Sequence, residues 1–204
     1  MTDMIAYLVD DDDAIRDALA WLLRSRGVRS QAWSSAESFL ADYRHDMHGC
    51  LVLDVRMQGM SGPELFDRLT GLGCGMPAIF LTGHGDVPLA VNAIKKGAFD
   101  FIEKPFNDNE LADRVIDALR IDAARVTQAE SSATLEARLS QLTSREREVM
   151  NHVLAGKFNK VIADELNIAM RTVEVHRSRV FEKMGVRSAV ELAQLLAGQP
   201  LKPD

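Results

Sequence analysis

Short runs of strand-forming residues, most of them apolar and cut off at a polar residue, punctuate the first half of this chain. Residues 4–9 (MIAYLV) stop at Asp10, residues 50–53 (CLVL) at Asp54, residues 78–81 (AIFL) at Thr82, and residues 99–102 (FDFI) shortly before Lys104-Pro105. Residues 28–33 (VRSQAW) make a further strand of weaker apolar character. Runs this short and this abruptly ended suit buried strands rather than helices. Helical patterns lie between them. Ile15, Leu19, Leu22 and Leu23 form one stripe on residues 14–26, and Gly27 closes that helix. Ser34 or Ser35 caps a second through Tyr43. Gly62-Pro63 opens a third through Leu69, residues 87–96 form a fourth ended by Gly97, and Asn107 begins a fifth that reaches Leu119 or beyond. Strand and helix alternating five times predict an α/β fold: a doubly wound (βα)5 domain whose parallel five-stranded sheet is covered on both faces.

Sheets of this kind carry their chemistry at the carboxyl ends of the strands. That rule selects Asp10 and Asp11, Asp54, Thr82 and Lys104. Neighbouring carboxylates repel one another and need a cation to stay ionised together. A hard divalent ion with oxygen ligands, Mg²⁺, meets that need, and the ion with a lysine can neutralise an incoming phosphoryl group. A carboxylate in the middle can then act as nucleophile and form an acyl phosphate. Positioning and charge neutralisation supply most of the catalysis in such a transfer.

The stretches YLVDDDDAIRDAL, LVLDVRMQGMSGPEL, AIFLTGHGD and FDFIEKPF, in this order, resemble the receiver domain of two-component response regulators. The segment from LTGHGD to FIEKPF is most similar to the FixJ-like branch of the NarL/LuxR family. The resemblance covers roughly residues 4–120. It implies that Asp54 accepts phosphate from a phosphohistidine on a sensor histidine kinase. It implies that Asp11, Asp54 and the backbone carbonyl of Arg56 bind Mg²⁺, with Asp10 acting partly through water. Lys104 would contact the phosphoryl group, Thr82 would turn its hydroxyl towards it, and Phe101 would rotate inward as a coupled switch. The family habitually has a cis peptide at the position of Lys104-Pro105. One residue departs from the pattern: the family commonly has proline where this chain has Gln58, and proline would stiffen that loop and remove an N–H.

From Ile121 to Gln141 the chain has few large apolar residues and neither Gly nor Pro, while Leu135, Leu139 and Leu142 fall at helical spacing. This predicts a partly helical linker. The tail then carries four short helices. Thr143 or Ser144 starts the first, with Glu146 completing a capping box if Thr143 is the cap. Residues 159–166 form the second, Asn167-Ile168-Ala169 a tight turn, residues 170–184 the third and residues 188–196 the fourth. A tight turn between short helices is the signature of a helix-turn-helix. On the third helix, at about 100° per residue, Val173, His176, Val180 and Met184 share the inner face. Arg171, Glu174, Val175, Ser178 and Glu182 lie opposite, Thr172 is a further candidate DNA contact, and Arg179 and Lys183 lie on a flank. Such a face can read base edges: Arg can pair with guanine, Glu can accept from cytosine and Val can touch a thymine methyl. Lys157, Asn159, Lys160 and Arg177 are candidate phosphate contacts, which set register rather than sequence.

The sequences LTSREREV, NKVIADEL and RTVEVHRSRVFEKMGVRS resemble the LuxR-type DNA-binding domain, with Ala169 standing where Ser or Thr usually precedes the recognition helix. The predicted organisation is a receiver at 1–121, a partly helical linker at 122–139 and an all-α, four-helix LuxR-type helix-turn-helix domain at 140–204. The implied function is a phosphorylation-dependent transcriptional regulator, not an enzyme beyond its own phosphoryl transfer and dephosphorylation. Its expected partners are a sensor kinase, promoter DNA, a second copy of itself joined through residues 87–119, and RNA polymerase.

Composition agrees. The net charge of −6 argues against a nucleic-acid coat protein, and the tail from Ser140 is the exception, with ten Lys/Arg against eight Asp/Glu. Cys50 and Cys74 make neither a disulfide framework nor a metal-binding spacing. No leader peptide or apolar span is visible, so a cytoplasmic protein without a membrane segment is expected. Two rivals differ in class. A phosphohydrolase of the haloacid-dehalogenase type shares the Asp, Thr, Lys and Mg²⁺, but wants an acid two residues after the nucleophile, where this chain has Arg56. A phosphorylation-independent DNA-binding protein would use the receiver only to dimerise.

Overall fold

The computed structural model describes residues 5–83 and 87–198; Met4, expected to begin the first strand, and the HGD of LTGHGD lie outside them. The chain divides into two compact units, residues 1–127 and 128–204.

In the first unit the strands are β1 (Ile5–Val9), β2 (Arg29–Trp33), β3 (Gly49–Asp54), β4 (Ala78–Thr82) and β5 (Asp100–Glu103). They form one sheet in the order β2-β1-β3-β4-β5, parallel throughout. Every residue of β3 and β4 is buried, because both faces are covered. Alternate residues serve opposite faces. Leu8, Val52, Ile79 and Leu81 pack with Leu19 and Leu23 of α1 (Asp13–Ser25) and with Leu111, Val115 and Leu119 of α5 (Asp108–Ser140). Val9, Leu51, Leu53 and Phe80 pack with Phe39 of α2 (Ala36–Asp42), Leu65 and Leu69 of α3 (Gly62–Gly71), and Ala93 of α4 (Val87–Lys95).

The helix starts follow the capping chemistry. Asp12 accepts from the N–H groups of Ala14 and Ile15, Ser35 from that of Ser38, and Ser61 forms a capping box with Glu64. α5 differs from the expectation: the segment read as a partly helical linker is part of one continuous helix to Ser140. Nothing in its sequence breaks the ladder. In addition, buried Asp122 accepts the N–H of Gly49 at 2.7 Å, and Val126 is buried.

The second unit holds α6 (Ser144–Leu154), α7 (Asn159–Leu166), α8 (Met170–Met184) and α9 (Ala189–Leu196). Their core is Val149, Met150, Val153, Ile162, Val173, Val180, Met184 and Leu192, with Leu135 and Leu139 of α5 packed against it. Thr143 is the cap of α6, and its box with Glu146 is complete. The turn between α7 and α8 works because Asn167 adopts the left-handed region at φ 52°, which asparagine tolerates better than most residues. Gly185 ends α8 in the same region at φ 67°.

Candidate metal centre and nucleic-acid interface

The parallel register delivers four strand ends to one edge. Asp10 follows β1, Asp54 ends β3, Thr82 ends β4, and Lys104 follows β5. Oxygen atoms of Asp10, Asp11 and Asp54 lie within 4.8 Å of one another; among the described residues this is the one such group of His, Cys, Asp or Glu. Asp10 and Asp54 are buried, while Asp11 is exposed. The Lys104 ammonium donates to Asp10 Oδ2 at 2.9 Å and to Asp54 Oδ1 at 2.8 Å. Asp10 Oδ1 also accepts the N–H of Asp12 at 2.9 Å.

Burial pushes the Asp54 carboxyl above its ordinary pKa; Lys104 works against this, and Asp10 and Asp11 add to it. Burial also acts to lower the Lys104 pKa, but hydrogen bonds to Asp54 and Asp10 and their charges outweigh it, so the ammonium is held protonated. One lysine thus pairs with two of three clustered carboxylates. A set of hard oxygen donors in excess of its cation fits a hard divalent ion.

The other expected site residues fall as follows. Arg56 is exposed on the loop after β3. Thr82 is buried, and its hydroxyl donates towards the carbonyl of Ile102 at 3.5 Å, a long contact. Phe101 is half-buried against the Phe80 side of the core. The Lys104-Pro105 peptide is cis. Sequence reasoning missed three supports of the pocket. Arg16 donates to the Asp10 carbonyl, Gln58 N–H donates to Asp11 Oδ2 at 3.0 Å, and Met60 N–H donates to Glu37 Oε1 at 2.9 Å. Two of these are main-chain donors, which have no residue signature to find.

On the second unit, Arg171, Thr172, Glu174, Val175, Ser178 and Arg179 are exposed on α8, and no ion pair engages Arg171, Glu174 or Arg179 among the described residues. Lys160 is likewise exposed and unpaired among the described residues. His176 is half-buried, its Nδ1 enclosed without a hydrogen-bond partner, and belongs to no metal-binding group among the described residues. Three expected phosphate contacts have internal partners. Lys157 pairs with Glu165 at 2.6 Å; Arg177 donates to Asn159 and lies 5.7 Å from the Phe181 ring centre. Lys183, expected on the outer flank, also has internal partners: its long stem carries the ammonium to buried Glu146 at 2.7 Å and to the Gln141 carbonyl at 3.1 Å.

Known proteins carry the same pair of domains. The response regulator receiver domain family matches residues 6–116, and the family described as bacterial regulatory proteins, luxR family, matches residues 140–196. The chain belongs to the two-component response regulators of the NarL/LuxR family. The regulator is 49% identical to the C4-dicarboxylate transport transcriptional regulatory protein DctR of Rhodobacter capsulatus, over 93% of this chain and 97% of DctR. It is 44% identical to the transcriptional regulatory protein FixJ of Rhizobium meliloti (strain 1021), over 97% and 98%. Among solved structures it is similar to the response regulator StyR (TM-score 0.89, 42% identity, 97% of this chain and 100% of that one). It is also similar to full-length FixJ from B. japonicum (TM-score 0.61, 41% identity, 97% of each). The regulator therefore combines a receiver with a LuxR-type DNA-binding domain and acts in transcriptional regulation rather than as a conventional enzyme. Among the described residues no helix is long and apolar enough to cross a membrane.

Proposed function

We propose that this regulator takes a phosphoryl group on Asp54 from a sensor histidine kinase and thereby changes its dimerisation and its hold on promoter DNA. The observation that carries the reading is the convergence of Asp10, Asp11, Asp54 and Lys104, with one ammonium 2.9 and 2.8 Å from two carboxylates. An Asp54 oxygen attacks phosphorus, the bond from phosphorus to the kinase's histidine nitrogen breaks, and that nitrogen keeps the electron pair. Asp11, Asp54 and the Arg56 carbonyl, with Asp10 through water, would hold Mg²⁺, whose charge offsets the phosphoryl oxygens. Lys104 then contacts the new group, the Thr82 hydroxyl turns from Ile102 towards it, and Phe101 moves inward. Hydrolysis of the acyl phosphate at the same pocket resets the protein.

The readout follows from surfaces. Leu89, Val91 and Ile94 are exposed apolar residues on α4, which supports a homodimer through residues 87–119. Two copies would place two α8 helices on half-sites of a palindrome. Arg171, Thr172, Glu174, Val175 and Ser178 then read bases, while Lys160 and Arg179 contact phosphates. Lys157, Asn159 and Arg177 support that face from within. The receiver at 1–121, the connector at 122–139 and the DNA-binding domain at 140–204 form one cytoplasmic switch, with RNA polymerase as its target at the promoter.

The test is mass spectrometry after incubation with acetyl phosphate and Mg²⁺, joined to gel filtration and footprinting. A labile phosphoryl adduct on Asp54, absent from Asp54→Asn, with a dimer mass and a protected DNA site, is expected. No adduct despite metal and donor would overturn the reading.

A further inference from the structure

Gln58 departs from the receiver pattern, and the structure gives it a task. The three pocket carboxylates are held unequally. Asp10 accepts from Lys104 and from the Asp12 N–H, and Asp54 accepts from Lys104. Asp11 is the exposed member, and Lys104 does not reach it; among the described residues its hydrogen-bond donor is the main-chain N–H of Gln58, 3.0 Å from Oδ2. The loop carrying Gln58 is fastened a second time two residues later, where Met60 N–H meets Glu37 Oε1 at 2.9 Å. Gly59 lies between these bonds at φ 78°, a left-handed conformation that lets the loop turn from one carboxylate to the other. Ser61 then enters α3 through its capping box. The segment that bears Arg56 is thus bound to the pocket at one point and to α2 at another.

We infer that Gln58 is a positioning residue for metal binding, acting through its main-chain N–H on Asp11. The inference rests on the metal reading above and adds to it a residue that touches neither metal nor phosphate. A carboxylate has about four lone-pair sites, so a bond from an N–H leaves room for a cation on the same group. An exposed aspartate with no such donor loses side-chain freedom when it captures a cation; one already held loses less. Partners that orient metal ligands commonly govern affinity in this way. The donor belongs to the peptide, so every residue except proline supplies it. The Gln58 side-chain amide has no part in the effect.

The experiment is calorimetric titration of Mg²⁺ into the full chain, comparing wild type, Gln58→Ala and Gln58→Pro, with thermal unfolding in metal-free buffer as the control for folding. Gln58→Ala should bind Mg²⁺ like wild type, and Gln58→Pro about tenfold more weakly. Gln58→Pro binding as tightly as wild type, or Gln58→Ala weakened equally, would overturn the assignment. The wild-type protein supplies an independent measurement should Gln58→Pro unfold. The Gln58 amide in a ¹⁵N-resolved spectrum should be protected from exchange without metal and shift with the same midpoint as the calorimetry. Free exchange of that amide overturns the assignment alone, while phosphoryl transfer to Asp54 still takes place. Wild type taking up neither Mg²⁺ nor phosphate overturns both readings together.

Discussion

At the ends of β1, β3 and β5, charged groups answer one another inside the protein: Lys104 bridges Asp10 and Asp54, the Asp12 N–H caps Asp10, and Gln58 N–H holds Asp11. On the outer face of α8 the reverse holds. Arg171, Glu174 and Arg179 are exposed, with no ion pair among the described residues. The pocket is arranged before its partner arrives, as phosphoryl transfer requires, since fixed charges accelerate chemistry only if they need not reorganise. The outer face of α8 leaves donors and acceptors unengaged, as the base readout proposed for it would require, because a side chain bonded to its neighbour has nothing to offer a base. The same two residue classes, carboxylates and cations, thus serve opposite ends through pairing or its absence.

The comparison breaks first at Lys104. Lys104→Ala should slow phosphorylation of Asp54 by acetyl phosphate by about 10²-fold, the scale seen when one preorganised charge-stabilising donor is removed. Arg179→Ala, which deletes a cation from the unpaired face, should leave that rate unchanged. Equal rates for Lys104→Ala and wild type would mean that the pairing in the pocket is only structural.

Glu146 sharpens the contrast inside the second unit, since it is a paired, buried group beside the unpaired face. Glu146→Ala removes the box of α6 and leaves part-exposed Lys183 without its carboxylate partner, and should cost about 2 kcal/mol in denaturant unfolding. The Lys183 hydrogen bond, then the Thr143 N–H, hold the Glu146 carboxyl below the ordinary carboxylate pKa. The folded pKa is the lower one, so the stabilisation is present above the ordinary value of 4.5 and disappears as the pH falls through the folded value. Unfolding midpoints of wild type should therefore drop below pH 4.5, and those of Glu146→Gln should drop less.

How far the sequence could see follows the same division. The break between α7 and α8 was legible to the residue, because the turn Asn167-Ile168-Ala169 is a local signal and Asn167 acts through its own backbone. The strand-end rule found Asp10, Asp54, Thr82 and Lys104, since a parallel sheet converts chain order into spatial convergence. What it could not find depends on tertiary partners. α5 runs on to Ser140 partly because Asp122 meets the N–H of Gly49, 73 residues away in sequence. Lys183 sits on the flank by helical angle, but angle says nothing of where a four-carbon stem leads. Main-chain donors such as the Gln58 N–H are identical at every non-proline position, so composition cannot mark them.

A smaller effect separates Arg171 from Arg177, six residues apart on one helix. Arg171→Ala should weaken DNA binding by about 1–3 kcal/mol and relax specificity at one base pair. It should leave unfolding within about 0.5 kcal/mol of wild type. Arg177→Ala loses the Asn159 bond and the Phe181 contact, and should show the opposite pattern, a stability loss of about 1 kcal/mol. Footprint titrations paired with denaturation curves decide the point; matching behaviour would erase the distinction between paired and unpaired cations on this domain.

Helix starts give the finest version of the contrast. α1, α2, α3, α6 and α9 begin on a side-chain cap, whereas α7 begins at Phe158 and α8 at Ala169, neither with a side-chain acceptor. Ala169 already has the extended backbone of a cap residue, at φ −67° and ψ 144°, so a hydroxyl placed there needs no rearrangement to accept from the first turn. Ala169→Ser should raise stability by about 1 kcal/mol. In a unit of this size that is a rise of about 4–8 °C in its melting temperature. The proposed base-reading side chains start two residues later at Arg171, so operator affinity should not change. A gain in stability bought with a loss of affinity would show instead that those first N–H groups belong, like Arg171 and Glu174, to the groups kept unpaired for DNA.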